Sequence, residues 1–365
     1  MSSINTNASA MTALQTLNAT NKSLNTTQGR ISTGFRVAEA SDNAAYWSIA
    51  TTMRSDNKAL STVQDSLGLG ASKVDTAYTG MNKSIDTLNE IKVKLVAATG
   101  ASAADKAKIQ TEIKALQGQL KAYADGATFS GANMLSVSSD KNAAGAAAAA
   151  DTGVQADIKI VSAFNRDAAG TASISTIDVK VEGIKLFDSG AGTAANVKNA
   201  GILDRQTKIW SSTAAQAAYE TAYTAAVAGG GADTAAATAA DTAAAAADAT
   251  ATSIAGVSVH NMDITAAGVN DAFIGSMLSK VEGALKDMTT AATNLGAAKS
   301  RIDLQKTFTS SLMDSIDRGV GQLVDADMNK ESTRLQALQV QQQLGIQALS
   351  IANGNSQSIL SLFRG

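Results

Sequence analysis

The chain has 365 residues, with no proline, no cysteine and 4% aromatic residues, and its formal net charge is −2. The absence of cysteine excludes disulfides and thiolate sites, and a slightly acidic chain is a poor match for a nucleic-acid-binding protein. No apolar run approaches the roughly 18 residues of a membrane span, and Met1–Ala10 lacks the features of a cleaved signal peptide. We therefore expect neither membrane insertion nor a cleaved leader.

The chain begins with a predicted helix over residues 1–33. Its apolar row contains Leu17, Leu24 and Ile31, but polar residues such as Asn21 weaken the adjoining row. Because isolated helices depend on tertiary packing, we expect this helix to be ordered only against a partner. Proline breaks helices, so its absence favours long helices in the rest of the chain.

A second helix is predicted to begin near Ser41 and Asp42, both good N-cap residues, and to end near Ala98. This helix has an apolar residue at every seventh position. A later helix, predicted over residues 271–324, has the same spacing, with one interruption at Thr309. This spacing predicts that the helices pack alongside each other as a coiled coil. The predicted coiled-coil seam consists of Met53, Leu60, Leu67, Val74, Met81, Leu88, Leu95, Ile274, Val281, Met288, Leu295 and Ile302.

Between these two helices the sequence predicts a third. Ser102 begins a capping sequence, and Gly126 is expected to end the helix. Three glycines lie inside the second helix, at Gly68, Gly70 and Gly80. They indicate either local slack or the close approach of a neighbouring helix.

Residues 136–269 differ in composition from the rest, being rich in alanine, glycine, threonine and aspartate. Alternating apolar residues predict three strand segments, and an alanine-rich stretch predicts a helix over Ser212–Val227. The strand segments lie within 158–160, 174–187 and 254–264. Ala144–Ala150 and Thr242–Ala247 approach low complexity. We expect a small α+β domain with loosely structured insertions.

The last segment, residues 325–365, is predicted to be helical with a thin apolar row. The helices near the two ends mirror each other. The predicted fold is therefore mainly α, with long antiparallel coiled-coil helices from both termini and a small α+β outer domain inserted in the middle. The predicted domains are 1–40 with 325–365 as the innermost terminal coiled coil, 41–135 with 270–324 as an inner helical domain, and 136–269 as a variable, surface-exposed outer domain.

Seven short segments resemble bacterial flagellin, four near the amino end and three near the carboxyl end. They are Ile4–Asn7, Arg30–Val37, Ala40–Ala45, Phe129–Leu135, Leu295–Ile302, Asp325–Met328 and Ala348–Asn353. The resemblance covers roughly residues 1–140 and 270–365, in the order found in that family, around an unrelated middle.

This resemblance implies a structural subunit of the flagellar filament, exported unfolded without a cleaved signal peptide, assembled at the distal tip and located outside the cell. The implied partners are other copies of the chain, flagellin paralogues, the export apparatus, an export chaperone, the cap and the hook-associated proteins. The resemblance implies no cofactor, metal, nucleic acid or membrane. An open helical filament needs a head-to-tail interface. The residues expected to carry assembly are Leu17, Leu24, Ile31, Leu335, Leu338, Leu349 and Phe363.

In many flagellins one helical segment is bound by a Toll-like receptor, and Leu88–Leu95 is the corresponding stretch here. The stimulatory version has an arginine at the position of Glu90 and a glutamate near Val93. A charge reversal places like charges together in a contact, so we expect weak activation of that receptor.

Two other functions remain open at this point. A hook–filament junction protein would have similar terminal helices, whereas a secreted helical adhesin would need a long apolar or basic amphipathic stretch, which the sequence lacks. An enzyme is not expected, because His260 is the only histidine and no titratable groups cluster in the sequence. We expect His260 to lie on the surface of the outer domain.

Overall fold

The computed structural model describes residues 7–137, 157–167, 171–188, 200–228 and 233–362, and the fold is mainly helical. The helices are α1 Ala8–Thr33, α2 Ala44–Ala98, α3 Ala103–Gly126, α4 Thr213–Ala228, α5 Asp233–Ala247, α6 Asp271–Val324 and α7 Met328–Leu362. The strands are β1 Thr128–Phe129, β2 Ala132–Asn133, β3 Ser136–Val137, β4 Ile158–Arg166, β5 Ala172–Val179, β6 Phe187–Asp188, β7 Thr207–Trp210 and β8 Ser253–Val257.

The chain forms two compact units. One consists of Met1–Ser61 with Ser310–Gly365, and the other of Thr62–Thr309. Both α2 and α6 contribute to each unit. The three predicted domains have other boundaries, and that division stays a prediction.

In the first unit, side-chain caps define where helices begin. The Asn7 side chain accepts a hydrogen bond from Ala10 N at the start of α1, and Gly34 ends α1 with a left-handed φ of 76°. The expected cap of α2 by Ser41 or Asp42 is wrong. Asn43 Oδ1 accepts from Tyr46 N at 3.1 Å, while the Asp42 carboxylate accepts from the backbone of the preceding turn. The chain thus makes one more turn before the helix begins.

A small core lies where α2 and α6 meet within the first unit. Val37, Ala50, Val320 and Val324 are buried together, and Phe35 forms an isolated antiparallel bridge with Asp325. These contacts bring the segment between α1 and α2 against the segment between α6 and α7.

The second unit has its core along the seven-residue rows of α2 and α6. Every predicted seam residue from Leu67 to Leu95 and from Ile274 to Ile302 is 0% exposed. Thr309, where the apolar spacing is interrupted, is also buried at 1% exposure, so the pattern of burial continues through a polar side chain. In the first unit Leu60 is buried and Met53 is partly buried.

Ion pairs show that α2 and α6 are antiparallel in this unit. Lys92 Nζ lies 2.8 Å from Glu282 Oε1, and Lys299 Nζ pairs with Asp75. A step of 17 residues forward along α2 is matched by 17 residues backward along α6. The third helix, α3, adds Ile113 and Leu120 to the same core.

The middle of the chain contains sheets of two strands each among the described residues. Strand β4 pairs antiparallel with β5, with an irregularity between Val161 and Ala163, and Ile160, Ile177 and Val179 form the buried face. These residues join the core of α2, α3 and α6, which explains why such a small sheet is stable.

Three expectations for the middle region need correction. The alternation over 174–187 does not form one strand, because β5 ends at Val179 and a hydrogen-bonded turn follows, with Ile184 N donating to Val181 O at 3.0 Å. The alternation over 254–264 forms a strand only as far as Val257. The low-complexity stretch 242–247 belongs to α5, whereas 144–150 lies outside the described residues.

Candidate assembly surface

The first and last helices lie side by side in the first unit. In α7, the partly or fully buried residues between Met328 and Gly354 recur alternately four and three residues apart. We call this set the inner row of α7: Glu331, Leu335, Leu338, Gln342, Gly345, Leu349 and Ala352. The facing residues of α1 include Ala10, Ala13, Leu17, Thr20, Leu24, Thr27 and Ile31. This spacing lets side chains of one helix fit between those of the other.

Polar contacts define the alignment of α1 against α7. Arg30 Nη1 lies 3.3 Å from Glu331 Oε1, and Gln342 Nε2 donates to Asn21 Oδ1 at 2.8 Å. Near the other end of the pair, Asn7 Nδ2 donates to the carbonyl of Ala352 at 2.9 Å. The two helices are therefore antiparallel over most of the length of α1.

The predicted assembly residues lie between the two helices of one chain. Leu24 and Leu338 are each 9% exposed, and Leu17, Ile31, Leu335 and Leu349 are partly buried. Phe363 lies outside the described residues. Contact of these residues with a neighbouring copy stays a prediction, because pairing within the chain already accounts for their burial.

A second set of apolar residues points away from the α1–α7 contact. We call Val340, Leu344 and Ile351 the outer row of α7; they are 56%, 58% and 67% exposed and recur at helical spacing. Met11 and Leu14 of α1 are 65% and 49% exposed. Contiguous exposed apolar side chains mark surfaces that bind other molecules.

Sequence reasoning did not find the outer row. It assigned one apolar row to each terminal helix and treated the remaining faces as polar, because the outer row adjoins the run Gln341–Gln343. The spacing of four and seven residues between Val340, Leu344 and Ile351 was the available signal. A helix with apolar rows on two sides is expected to be covered on both.

The segment expected to face an immune receptor lies on α2 in the second unit. Leu88, Ile91 and Leu95 are fully buried, whereas Glu90 is exposed and Val93 is 65% exposed. The two residues that depart from the stimulatory pattern therefore lie on the accessible face of the helix.

Several partly buried groups of the second unit have displaced pKa values. Burial lowers the pKa of Lys280 to about 7, and its amine donates to the Thr207 hydroxyl. Burial also raises the pKa of Asp204 and lowers that of His260, whose ring packs edge-on against Phe187 at 5.3 Å. The expectation of a surface-exposed His260 is wrong, because the ring is half-buried in this contact.

Within the part of the chain that the structure describes, no group of three or more histidine, cysteine, aspartate or glutamate side chains is arranged to hold a metal ion. In the same ranges, none of the helices has an apolar stretch sufficient to cross a bilayer.

The terminal helices pair with each other and leave an apolar row of α7 uncovered. These features are typical of a structural subunit that packs with further chains. Comparison with known proteins identifies the family. Residues 4–140 match the bacterial flagellin N-terminal helical region, and residues 278–363 match the bacterial flagellin C-terminal helical region.

Curated relatives agree over their whole length. The chain is 46% identical over 413 residues to Flagellin A of Rhizobium meliloti, 47% over 367 residues to Flagellin C of Rhizobium meliloti strain 1021, and 45% over 365 residues to the flagellin of Brucella melitensis biotype 1, covering 100% of both chains in each case. The chain therefore belongs to the bacterial flagellin family. It is a structural subunit of the flagellar filament used for motility, which decides between the functions that the sequence left open.

Proposed function

We propose that the chain leaves the cell unfolded through the flagellar export apparatus, with an export chaperone, and adds to the distal tip of the filament beneath a cap. The composition supports this route. Without cysteine no disulfide has to form, and without proline no slow isomerisation delays refolding at the tip. Hook-associated proteins would join the assembled filament to the hook, outside the cell.

Within the filament, we place α1 and α7 innermost and the buried rows of α2 and α6 around them as a coiled-coil tube. Residues 136–269 would be exposed on the outside. The main support for this placement is the outer row of α7, since these apolar side chains have no cover in a single chain. A head-to-tail contact with the next copy would cover them and could repeat without closing.

We also infer that the chain has no catalytic role, because groups with displaced pKa values make structural contacts, such as the hydrogen bond from Lys280 to Thr207 and the packing of His260 against Phe187. Its partners in the filament would be copies of itself and flagellin paralogues.

The critical concentration for seeded polymerisation tests the placement. Leu344→Ser removes an exposed apolar side chain, so it should leave the folded subunit intact and raise the critical concentration at least tenfold. Leu349→Ala should also raise it, because it removes a partly buried side chain from the inner row of α7, at a cost below the about 2–5 kcal/mol of a fully buried leucine. The neighbouring Gln343→Ser is the matched control and should polymerise like the parent chain. A critical concentration for Leu344→Ser within twofold of the control would exclude the outer row from the filament contact.

A further inference from the structure

The apolar residues of the α1–α7 contact repeat at a regular spacing. Leu17, Leu24 and Ile31 recur every seven residues, and so do positions 338, 345 and 352 on α7. Sliding one helix past the other by seven residues would again bring these rows together. Apolar packing alone therefore does not determine the alignment of the two helices.

Besides the Gln342–Asn21 hydrogen bond and the backbone hydrogen bond from Ala326 N to Gly34 O, two further contacts distinguish the observed alignment from the shifted ones. Leu17 packs against Gly345, where an added Cβ would lie 3.2 Å from Leu17 Cδ1. The Arg30–Glu331 ion pair is the second contact, and the Glu331 side chain is only 9% exposed. The bulk of Leu17 fits because position 345 has no side chain.

A shift of seven residues in either direction breaks the ion pair. In one direction Arg30 would face Leu338, and in the other Glu331 would face Ser23. A buried carboxylate left without its cation is strongly destabilising, more so than a changed apolar contact. A polar pair at such a position is a well-attested way of fixing the alignment of two helices.

We propose that the Arg30–Glu331 ion pair makes the largest side-chain contribution to the alignment of α1 and α7, and thereby sets the height at which the outer row of α7 is presented to the next copy. A shift of seven residues would displace that row by about 10 Å along the helix. The importance of this height rests on the filament placement proposed above, whereas the alignment itself is a property of one chain.

Introduced cysteines report the alignment directly, because the chain has none of its own. The Leu17 Cβ lies 3.8 Å from the position of a Cβ on Gly345, which matches the Cβ separation of a disulfide. Leu17→Cys with Gly345→Cys should therefore cross-link in the observed alignment. Leu17→Cys with Leu338→Cys or Ala352→Cys would cross-link only after a shift of seven residues. This design also removes the Leu17–Gly345 contact, so the ion pair has to hold the alignment together with the Gln342–Asn21 hydrogen bond, which is the same in all variants.

Each double-cysteine chain is oxidised mildly, and the yield of the intramolecular disulfide is measured on the monomeric band of the full-length chain. The reported ratio is the yield of the 17–345 cross-link divided by the larger of the 17–338 and 17–352 yields. We expect a ratio of at least ten with Arg30 and Glu331 present. Replacing both by leucine, Arg30→Leu with Glu331→Leu, should lower the ratio at least threefold. A smaller decrease would overturn the proposal. The exchanged pair, Arg30→Glu with Glu331→Arg, should restore the parental ratio.

The chain with Arg30→Leu and Glu331→Leu could fail to fold and give no cross-link. In that case the chain with Arg30→Glu and Glu331→Arg is the test. A cross-link ratio equal to that of the parent supports the proposal, and a threefold lower ratio overturns it. The same chains are tested for seeded polymerisation. Cross-links at the expected position in chains that do not polymerise would contradict the filament placement and leave the alignment proposal standing. If the chains polymerise but the cross-link ratio is the same with and without the ion pair, the filament placement stands and the alignment proposal is overturned.

Discussion

At the scale of single residues, two glycines of α2 are required by close approach. A Cβ on Gly70 would lie 2.5 Å from Ile160 Cγ2 of β4, and one on Gly80 would lie 2.9 Å from Ala127 Cβ and Leu135 Cδ1. From the sequence, these glycines indicated either local flexibility of α2 or the close approach of another helix. The elements that approach them are strand β4 at Gly70 and the segment after α3 at Gly80. Gly68 of the same helix meets nothing within 4 Å.

This difference predicts opposite effects of one substitution at two positions. Gly80→Ala should lower the free energy of unfolding by about 1–3 kcal/mol, because the Cβ overpacks a closed contact. Gly68→Ala should raise it by up to about 1 kcal/mol, since alanine favours the helix interior. Denaturant unfolding followed by circular dichroism measures both. Equal effects would show that α2 has as much room at Gly80 as at Gly68.

Lys280 makes stability depend on pH. Burial lowers its pKa in the folded chain from 10.5 to about 7, with the nearby charge of Glu220 opposing the shift and that of Arg205 adding to it. In the unfolded chain the amine keeps its ordinary pKa. Between about pH 7 and 10.5 the unfolded chain therefore binds more protons, so this group makes the folded state more stable as the pH rises.

Lys280→Met removes that dependence. The melting temperature of Lys280→Met relative to the parent should be highest at pH 7. It should decrease by at least about 2 °C towards pH 9.5, the shift that about 1 kcal/mol produces in a domain of this size. Lys108→Met is the control, because the Lys108 side chain is 77% exposed. Parallel pH profiles of the parent and Lys280→Met would contradict the assignment.

At the scale of elements, the exposed face of α2 determines what a receptor would meet. Glu90→Arg with Val93→Glu converts this face to the stimulatory pattern, and we expect the reporter-cell response to a Toll-like receptor to rise at least tenfold. Asp86→Arg with Val96→Glu makes the same changes of charge on the same helix and should leave the response low. A parental response already equal to that of a stimulatory flagellin would refute the expectation.

The long helices could be predicted closely from the sequence. The predicted bounds of α6 are those observed, because a seven-residue apolar spacing over many turns is a strong signal. The strands were predicted less well, because alternation of apolar residues continues past Val179 although backbone pairing stops there. The candidate surface was missed in part, since the exposure of Leu344 depends on which face of α7 meets α1.

At the scale of the whole molecule, the two units differ in how deeply they bury their helices. In the second unit the rows of α2 and α6 are fully buried. In the α1–α7 pair only Thr27, Leu24, Glu331 and Leu338 reach 9% exposure or less among the residues whose burial is described. A pair with so few buried side chains opens readily, because local stability follows local burial. Covering the outer row would supply the missing burial.

Hydrogen exchange of the free chain and of the filament, measured segment by segment, tests this account most directly. We predict that the backbone amides of residues 8–33 and 328–362 exchange rapidly in the dilute monomer and become at least about 100-fold slower in the filament, while those of α2 and α6 within Thr62–Thr309 are protected in both. Terminal helices that are already protected in the dilute monomer, and that gain nothing on polymerisation, would contradict it.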